Sequence, residues 1–275
     1  MYLGKQAECY TWYIKAGDFG KRIEKEKGTI VGKKVIVWLA LLVFAGCATL
    51  EYGAFEYRRT SGGIIITGYK EQGSIDIPAQ IDGIPVRKIG EDSFRGKQLF
   101  SVIIPDNVTL IGDFAFSHNW LTSVTIPDSV IFIGMGAFYN NQLASITMPE
   151  SVTTIGEGAF SRNRLNSITI PDSVTSIEQS AFSGNQLTSV TVGNRVTSIG
   201  GSAFENNQLT SITVGNRVTS IGDFAFYRNP LTSVTIGANV NIGEDAFPSG
   251  FTDAYNGNDR QAGTYTLNGD TWTRE

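Results

Sequence analysis

A 22-residue repeat covers more than half of this chain and restricts its fold more than any other feature. Each unit passes through the same apolar positions, namely a Leu, a Val or Ile three residues later, a second Val, an Ile and an Ala-Phe pair, and every unit but the last then has an Asn. A fixed period of this length is typical of solenoids, in which each repeat is one winding of the chain. The repeated leucines are Leu99, Leu121, Leu143, Leu165, Leu187, Leu209 and Leu231.

The pattern within one unit predicts two short strands and a turn. Ser123-Val124-Thr125-Ile126 alternates polar and apolar residues, as a half-buried strand does. Pro127 ends this strand, and residues 130–133 form a second extended segment. Residues 134–138 form a tight turn that carries an anchoring aromatic ring.

One such coil is not stable alone. Seven buried side chains supply on the order of 10–20 kcal/mol, whereas ordering a coil costs roughly 1–2 kcal/mol per residue in backbone entropy. Contacts between coils must supply the difference. Successive strands should therefore form parallel ladders about 4.8 Å apart around a continuous core, and seven coils should span roughly 34 Å.

The pattern Leu-x-x-Ile-x-Ile-Pro-x-x-Val-x-x-Ile-Gly-x-x-Ala-Phe-x-x-Asn resembles the BspA-like leucine-rich repeats (type 5) of bacterial surface proteins. The resemblance covers residues 99–250 as seven repeats and residues 64–98 as an amino-terminal coil or cap with a widened loop around 81–85. It implies a mainly β, right-handed solenoid of about eight 22-residue coils with parallel strand ladders. It also implies a surface protein that binds proteins, matrix or other cells, and it transfers no catalytic residues.

Residues 251–275 leave the repeat. The segment around Asn268-Gly269 predicts a hairpin. We interpret it as a carboxy-terminal cap, because an open solenoid end exposes unpaired strand edges and apolar core. The alternative is a carbohydrate-binding site formed by Tyr265 and Trp272.

The segment before the repeats resembles a bacterial export signal. Lys33 and Lys34 precede an apolar run over residues 35–44, which is too short to span a bilayer. The run continues into Phe-Ala-Gly-Cys at residues 44–47, which resembles a lipobox whose first position departs from the usual Leu. Cleavage after Ala45, which would release a secreted form, is the alternative.

These features predict the organisation of the amino-terminal part. Residues 1–46 are assigned to an upstream segment plus a lipoprotein-like signal peptide, and residues 47–63 to a tether. The resemblance implies an exported protein anchored to a membrane through lipid on Cys47, at the outer membrane or cell surface. Because 32 unrelated residues precede Lys33, we also expect translation to begin near Val31.

Charge and residue counts argue against several classes of function. The formal net charge is -4, but residues 1–46 carry eight Lys or Arg and four Asp or Glu, which leaves 14 basic and 22 acidic residues, net -8, for the rest. An acidic body argues against nucleic-acid binding. His118 is the only histidine, and Cys9 and Cys47 lie outside the repeats. We therefore predict no enzyme, no cofactor and no metal site.

Three polar columns of the repeat have structural interpretations. The repeated Asn is expected to bond turn backbone inside the solenoid. An acidic column after Pro is expected to accept backbone N–H groups, with calcium binding as the alternative. Arg195 and Arg217 give a later turn a basic edge, which two solvated arginines also explain. The acidic column comprises Asp106, Asp128, Glu150 and Asp172.

The candidate binding residues occupy columns that vary while their neighbours repeat. Exposed aromatic and arginine side chains are enriched in interface hot spots, and here they lie on turns of a rigid scaffold. Phe114 and Phe224 belong to this set, with additional core as the alternative. The other candidates are Trp120, Phe132, Tyr139, Arg162, Arg164, Tyr227 and Arg228.

The function that these observations favour is recognition. We expect a non-catalytic, cell-surface module that binds a protein or glycan ligand, for protein interaction or cell adhesion. A structural or spacer component of the cell envelope is the alternative. A third hypothesis comes from the Ser-x-Thr ladder, exemplified by Ser123 and Thr125, because a flat threonine array can order water and bind ice.

Overall fold

The computed structural model describes residues 49–275. The predicted signal peptide, the expected start near Val31 and the lipidation site at Cys47 lie outside these residues. The described part has short strands and one short helix, α1 (Phe251–Gly257). The strands are β1 (Leu50–Tyr52), β2 (Phe55–Thr60), β3 (Gly63–Tyr69), β4 (Ser74–Asp76), β5 (Gln80–Ile81), β6 (Ile84–Ile89), β7 (Ser101–Ile103), β8 (Leu110–Ile111), β9 (Phe132–Ile133), β10 (Thr154–Ile155), β11 (Ser167–Thr169), β12 (Ser176–Ile177), β13 (Ser189–Thr191), β14 (Ser198–Ile199), β15 (Ser211–Thr213), β16 (Ser220–Ile221), β17 (Ser233–Ile236), β18 (Asn241–Ile242), β19 (Gly263–Asn268) and β20 (Thr271–Arg274).

Two sets of parallel strands follow the coils. The first ladder contains the strand that begins each coil, with β4 paired to β7, β11 to β13 and β15 to β17. The second ladder contains the short strand that precedes the turn, in the orders β3-β6-β8-β9-β10 and β12-β14-β16-β18. Within the repeats the register follows the period, as in Ile111 opposite Ile133. This arrangement confirms the predicted solenoid of about eight coils with parallel ladders.

The repeated apolar residues form one continuous core. The Leu, Ile, Ala and Phe columns are buried, except that Ile242 in the last coil is partly buried, and the Val that precedes each Ile is buried as well. The phenylalanines from Phe94 to Phe226 stack one above the next, with ring centroids 5.1–5.6 Å apart and interplanar angles of 5–13°. Each ring therefore covers the ring of the next coil, which is the contact that an isolated coil lacks.

The repeated asparagines are buried and connect consecutive coils. Asn163 Oδ1 accepts a hydrogen bond from the backbone N–H of Leu143 (3.1 Å). Its Nδ2 donates to the carbonyl oxygens of Phe138 (2.9 Å) and Phe160 (3.1 Å). The same set recurs at Asn119, Asn141, Asn185, Asn207 and Asn229. The structural interpretation of this column is confirmed.

The amino-terminal end differs from its expected organisation. Most of the predicted tether at 47–63 is paired structure, because β1, β2 and β3 form an antiparallel meander whose last strand lies parallel to β6. Phe55 and Tyr69 pack together (5.1 Å) and against Phe94 (6.5 and 5.6 Å). These rings cover the first aromatic ring of the core, which explains why the segment folds onto the solenoid.

The expected widened loop at 81–85 is a tight hairpin. The strands β5 and β6 pair antiparallel, with Ile81 opposite Ile84. The two residues between them, Asp82 and Gly83, have φ values of 50° and 74°. Positive φ at both central residues is the geometry that Asp-Gly turns provide for two-residue hairpins.

The carboxy-terminal end contains a helix that the sequence pattern did not predict. It precedes the expected hairpin of β19 and β20, in which β19 also pairs antiparallel with β17. The hairpin turns at Gly269-Asp270 rather than at Asn268-Gly269, because Asn268 already pairs with Thr271. The helix is short and lacks a side-chain N-cap, so little in its sequence distinguishes it from a loop.

The alternative prediction, a carbohydrate-binding site formed by Tyr265 and Trp272, is wrong. Tyr265 is fully buried and Trp272 is 5% exposed, so neither ring presents a face to a sugar. Both rings pack on Phe251, at centroid distances of 5.6 and 5.2 Å, and Phe251 lies 4.4 Å from Phe247. Burial raises the pKa of Tyr265, although nearby Arg274 acts in the opposite direction.

Candidate functional site

The turn that follows the second ladder carries most of the predicted binding residues. In most coils its sequence follows Gly-x-x-Ala-Phe-x-x-Asn, with Glu178 at the Gly position of one coil and no Asn in the last, and the Ala, Phe and Asn side chains are buried. The x positions of successive coils therefore form one surface, which we call the turn face. Tyr139, Arg162, Tyr227 and Arg228 lie on it, and all four are at least partly exposed.

Two of the x positions have left-handed backbone where large side chains occur. The φ angle is 53° at Phe114, 59° at Phe224, 56° at Arg162 and 57° at Arg228. This conformation costs a residue with a side chain roughly 1–2 kcal/mol, whereas glycine, as at Gly136, adopts it readily. Side chains held in strained backbone concentrate at functional sites. The bulky residues at these positions therefore mark the turn face as the candidate site.

The first cluster on the turn face spans four coils. The guanidinium carbon of Arg162 lies 5.6 Å from the ring centroid of Tyr139. The rings of Tyr139 and His118 are in contact, with their centroids 5.2 Å apart and their planes tilted by 58°. One coil further back, the guanidinium carbon of Arg95 lies 5.3 Å from the ring centroid of Phe114. Guanidinium groups over aromatic faces are held by cation–π attraction.

An open depression of about 350 Å³ adjoins this cluster. Phe114, Tyr139 and Arg162 line it together with Glu157 and several Gly and Ser residues. The Phe114 ring lies over Gly136, where an added Cβ would come within 2.5 Å of two ring atoms. A side chain at residue 136 would therefore displace this ring.

The second cluster repeats the same residue types near the other end of the solenoid. Phe224 and Tyr227 are 37% and 38% exposed, and their rings meet edge to face at 5.6 Å. The guanidinium carbon of Arg228 lies 5.4 Å from the ring centroid of Tyr227. Phe224, Tyr227 and Arg228 occupy the same positions in the repeat as Phe114, Tyr139 and Arg162. The turn face thus carries two Phe-Tyr-Arg sets, the first drawn from three successive coils and the second from a single coil, with Gly, Ser, Asn and Glu205 at the same positions between them.

Trp120 lies outside the turn face, at the start of the next coil. It is 44% exposed and packs on Phe100, which is 53% exposed, at a centroid distance of 5.5 Å. Arg164 is exposed at the same repeat position two coils later. Phe100 and Trp120 thus form a separate exposed aromatic pair beside the first ladder, and Arg164 lies two coils further along the same surface.

Phe132 is not grouped with the other candidates. It is half-buried on β9, between Leu110 and Thr154 in the second ladder. Its neighbours along this ladder are backbone-paired strand residues rather than turn residues. The structure therefore places Phe132 on a different surface from Tyr139, although only seven residues separate them in the sequence.

The acidic column shows backbone capping at one of its members. The Oδ1 atom of Asp172 accepts a hydrogen bond from the backbone N–H of Asn194 in the next coil (2.7 Å). Among residues 49–275, no group of three or more His, Cys, Asp or Glu side chains is arranged to hold a metal ion. Nor does any helix of these residues have the length and hydrophobicity to cross a membrane.

Sequence reasoning missed three contributors to these surfaces. Arg95, Phe100 and His118 were not among the candidates. His118 is exposed, and its ring contacts Tyr139. The sequence could have identified Phe100 as a surface residue, because its repeat position is variable. Thr122, Ala144 and Asn166 occupy that position in the next three coils. The contact of Arg95 required the distance between neighbouring coils, which sequence columns do not give.

Comparison with known proteins agrees with this geometry. The family model for the BspA type leucine rich repeat region matches in six copies, over residues 71–188 and 131–252. A search of curated proteins found no match. The leucine rich repeat protein of T. pallidum (TpLRR) is 28% identical, with 70% of this chain and 85% of that chain covered and a TM-score of 0.50.

A second solved structure is a leucine rich cell surface protein from Faecalibacterium prausnitzii A2-165. It is 25% identical, with a TM-score of 0.54, and the similarity covers 81% of this chain and 59% of that protein. Since the family model matches well over half of the chain, the chain belongs to the BspA-type leucine-rich-repeat family.

Proposed function

We propose that this protein is a non-catalytic recognition module of the bacterial cell surface that binds a protein or glycan ligand through the turn face. The observation that carries the proposal is the recurrence of a Phe-Tyr-Arg set at two places on this face, half-buried at Phe114 and Tyr139 and exposed at Phe224 and Tyr227. Exposed Tyr and Arg residues on a rigid scaffold are the side chains that dominate binding energy at protein interfaces. The leucine-rich-repeat family supports a role in protein interaction, and the cell-surface relative supports a location at the cell surface.

The binding test compares two surfaces of the same molecule. The purified full chain is applied to immobilised matrix proteins, cell-envelope fractions and whole cells, and bound protein is quantified. Replacing Tyr139 or Arg162 by Ala should weaken binding at least about tenfold, since each removes one half of a stacked pair. Arg217→Ala is the matched control, because Arg217 is exposed at a different repeat position. Trp120→Ala tests the separate aromatic pair.

The outcomes separate the rival functions. Binding that depends on Tyr139 and Arg162 but not on Arg217 supports recognition by the turn face. Binding that depends only on Trp120 places recognition at the pair with Phe100. The absence of binding to every preparation favours the spacer function, in which the exposed columns have no partner.

We also propose that the protein is exported and anchored through lipid on Cys47, at the outer membrane or cell surface. The order of basic, apolar and small residues before Cys47 supports this. Cells grown with an alkyne-bearing fatty acid should incorporate it into the wild-type protein, and Cys47→Ser should abolish the label. A secreted, unlabelled wild-type protein would instead indicate cleavage after Ala45.

A further inference from the structure

Two guanidinium groups on the turn face share one repeat position. Arg162 and Arg228 each precede the repeated Asn and are three coils apart. Both are exposed, and each lies over a tyrosine ring: Arg162 over Tyr139 of the preceding coil at 5.6 Å, and Arg228 over Tyr227 of its own coil at 5.4 Å. Neither guanidinium forms a hydrogen bond or ion pair in the part of the chain that the structure describes. Their N–H donors are therefore available to a partner.

Stacking on tyrosine prepares these arginines for binding. A guanidinium group presents a planar set of donors that matches a carboxylate in a bidentate arrangement. A side chain already held against a ring loses less rotational freedom when it binds. An anionic ligand with one carboxylate at each arginine would therefore meet two prepositioned sites.

The distance between the two sites restricts the ligand. Neighbouring strands in a ladder are about 4.8 Å apart, so the backbone positions of Arg162 and Arg228, three coils apart, are separated by roughly 14 Å along the solenoid, a distance that their long side chains can adjust. An extended polypeptide advances about 3.3–3.4 Å per residue, so four residues span the same distance. Residues i and i+4 of an extended chain also point to the same side. In a helix the same two residues would be only about 6 Å apart.

The residues between the arginines indicate where negative charge on the ligand is disfavoured. Gly184 and Asn206 occupy the intervening coils at the same repeat position, next to Ser183 and Glu205. The small side chains leave room for a ligand backbone. Glu205 places a carboxylate in the gap, and Glu157 lines the depression beside Arg162. A polyanion charged at every unit would meet these groups, whereas a peptide with two separated acidic residues would not.

On the basis of the proposed function, we propose that the turn face binds an extended acidic segment of a protein partner. Its two carboxylates lie four residues apart, one on Arg162 and the other on Arg228, and uncharged residues cross the coils between them. This assigns to the site a ligand class, a chain conformation and a charge spacing.

The test uses the full-length protein and fluorescent 15-residue peptides rich in Thr and Val. One peptide carries Glu at positions 6 and 10, one carries Glu at positions 6 and 8, and one has Gln in place of both. Fluorescence anisotropy at low ionic strength gives the affinities. The peptide with Glu at 6 and 10 should bind at least about fivefold tighter than the other two, and added salt should weaken its binding.

Paired variants test the assignment of the arginines. The double variant Arg162→Gln with Arg228→Gln should lose the preference for the 6 and 10 spacing. The double variant Arg195→Gln with Arg217→Gln changes the net charge equally at a different exposed position and should keep it. Thermal unfolding by circular dichroism checks that both double variants are folded. Equal binding of the two Glu peptides, or an equal loss in both double variants, would overturn the proposal.

Two further outcomes distinguish this inference from the proposed function. If a sulfated polysaccharide competes as strongly as the peptide with Glu at 6 and 10, the ligand is a dense polyanion and the inference fails. If no peptide binds while surface preparations still bind in a Tyr139-dependent way, the inference fails and the proposed function stands. If neither peptides nor preparations bind, both fail.

Discussion

Replacing Phe160 by Ala is expected to lower the free energy of unfolding by about 3–5 kcal/mol, the usual range for removing a buried aromatic ring. The ring is fully buried and stacks between Phe138 at 5.4 Å and Phe182 at 5.6 Å. Its removal leaves a cavity that the surrounding coils cannot close without breaking their backbone ladders. Urea unfolding followed by circular dichroism measures the loss.

The location of Phe160 also predicts a change in cooperativity. Each coil contacts only its neighbours, so a defect in a central coil weakens the coupling between the two halves of the solenoid. We expect a lower slope of unfolding free energy against urea, or two separated transitions. Phe100→Ala is the control, because its ring is 53% exposed, and it should cost less than about 1 kcal/mol. An equal loss in both variants would contradict the importance of the stacked column.

Replacing Asn163 by Ala is expected to cost about 2–4 kcal/mol, because it leaves a buried backbone donor without a partner. The backbone N–H of Leu143 loses its acceptor. The carbonyl oxygens of Phe138 and Phe160 lose one of their two amide donors each, since Asn141 and Asn185 still donate to them. Chemical denaturation measures the difference from wild type.

Hydrogen exchange adds a local measurement to this prediction. The amide of Leu143 should exchange faster in Asn163→Ala than the global loss of stability explains. Asn140→Gly is the control, since Asn140 is exposed and its φ of 56° suits glycine. A stability loss below about 1 kcal/mol in Asn163→Ala would mean that water replaces the amide.

The repeated part of the fold was predictable because the same sequence pattern occurs in every repeat. Seven copies separate buried from exposed columns, so the burial of Leu143, Phe138 and Asn141 could be inferred from position alone. The terminal segments occur once and give no such comparison. The strands in 50–60 and the helix α1 depend on contacts with the end coils, such as Phe251 against Phe247, and local sequence does not reveal those contacts.

The candidate site was predictable in part for the same reason. Variable columns identified Tyr139, Arg162, Tyr227 and Arg228 as surface residues, and the structure shows how they pair. Sequence columns do not tell which side of a coil a position occupies, so Phe132 was grouped with residues of another surface. They also do not reveal the left-handed backbone of the turn face, which accounts for glycine and asparagine at so many of its positions.

The backbone ladders between coils determine how the length of a solenoid in this family can change during evolution. Whole 22-residue units can be gained or lost without breaking the register on either side, whereas extra residues within a coil, as in the hairpin at 81–85, leave the ladder spacing unchanged. Duplication of a unit between the two Phe-Tyr-Arg sets would keep each set intact and move them apart by one strand spacing, about 4.8 Å. The distance between the two Phe-Tyr-Arg sets can thus change only in steps of one strand spacing.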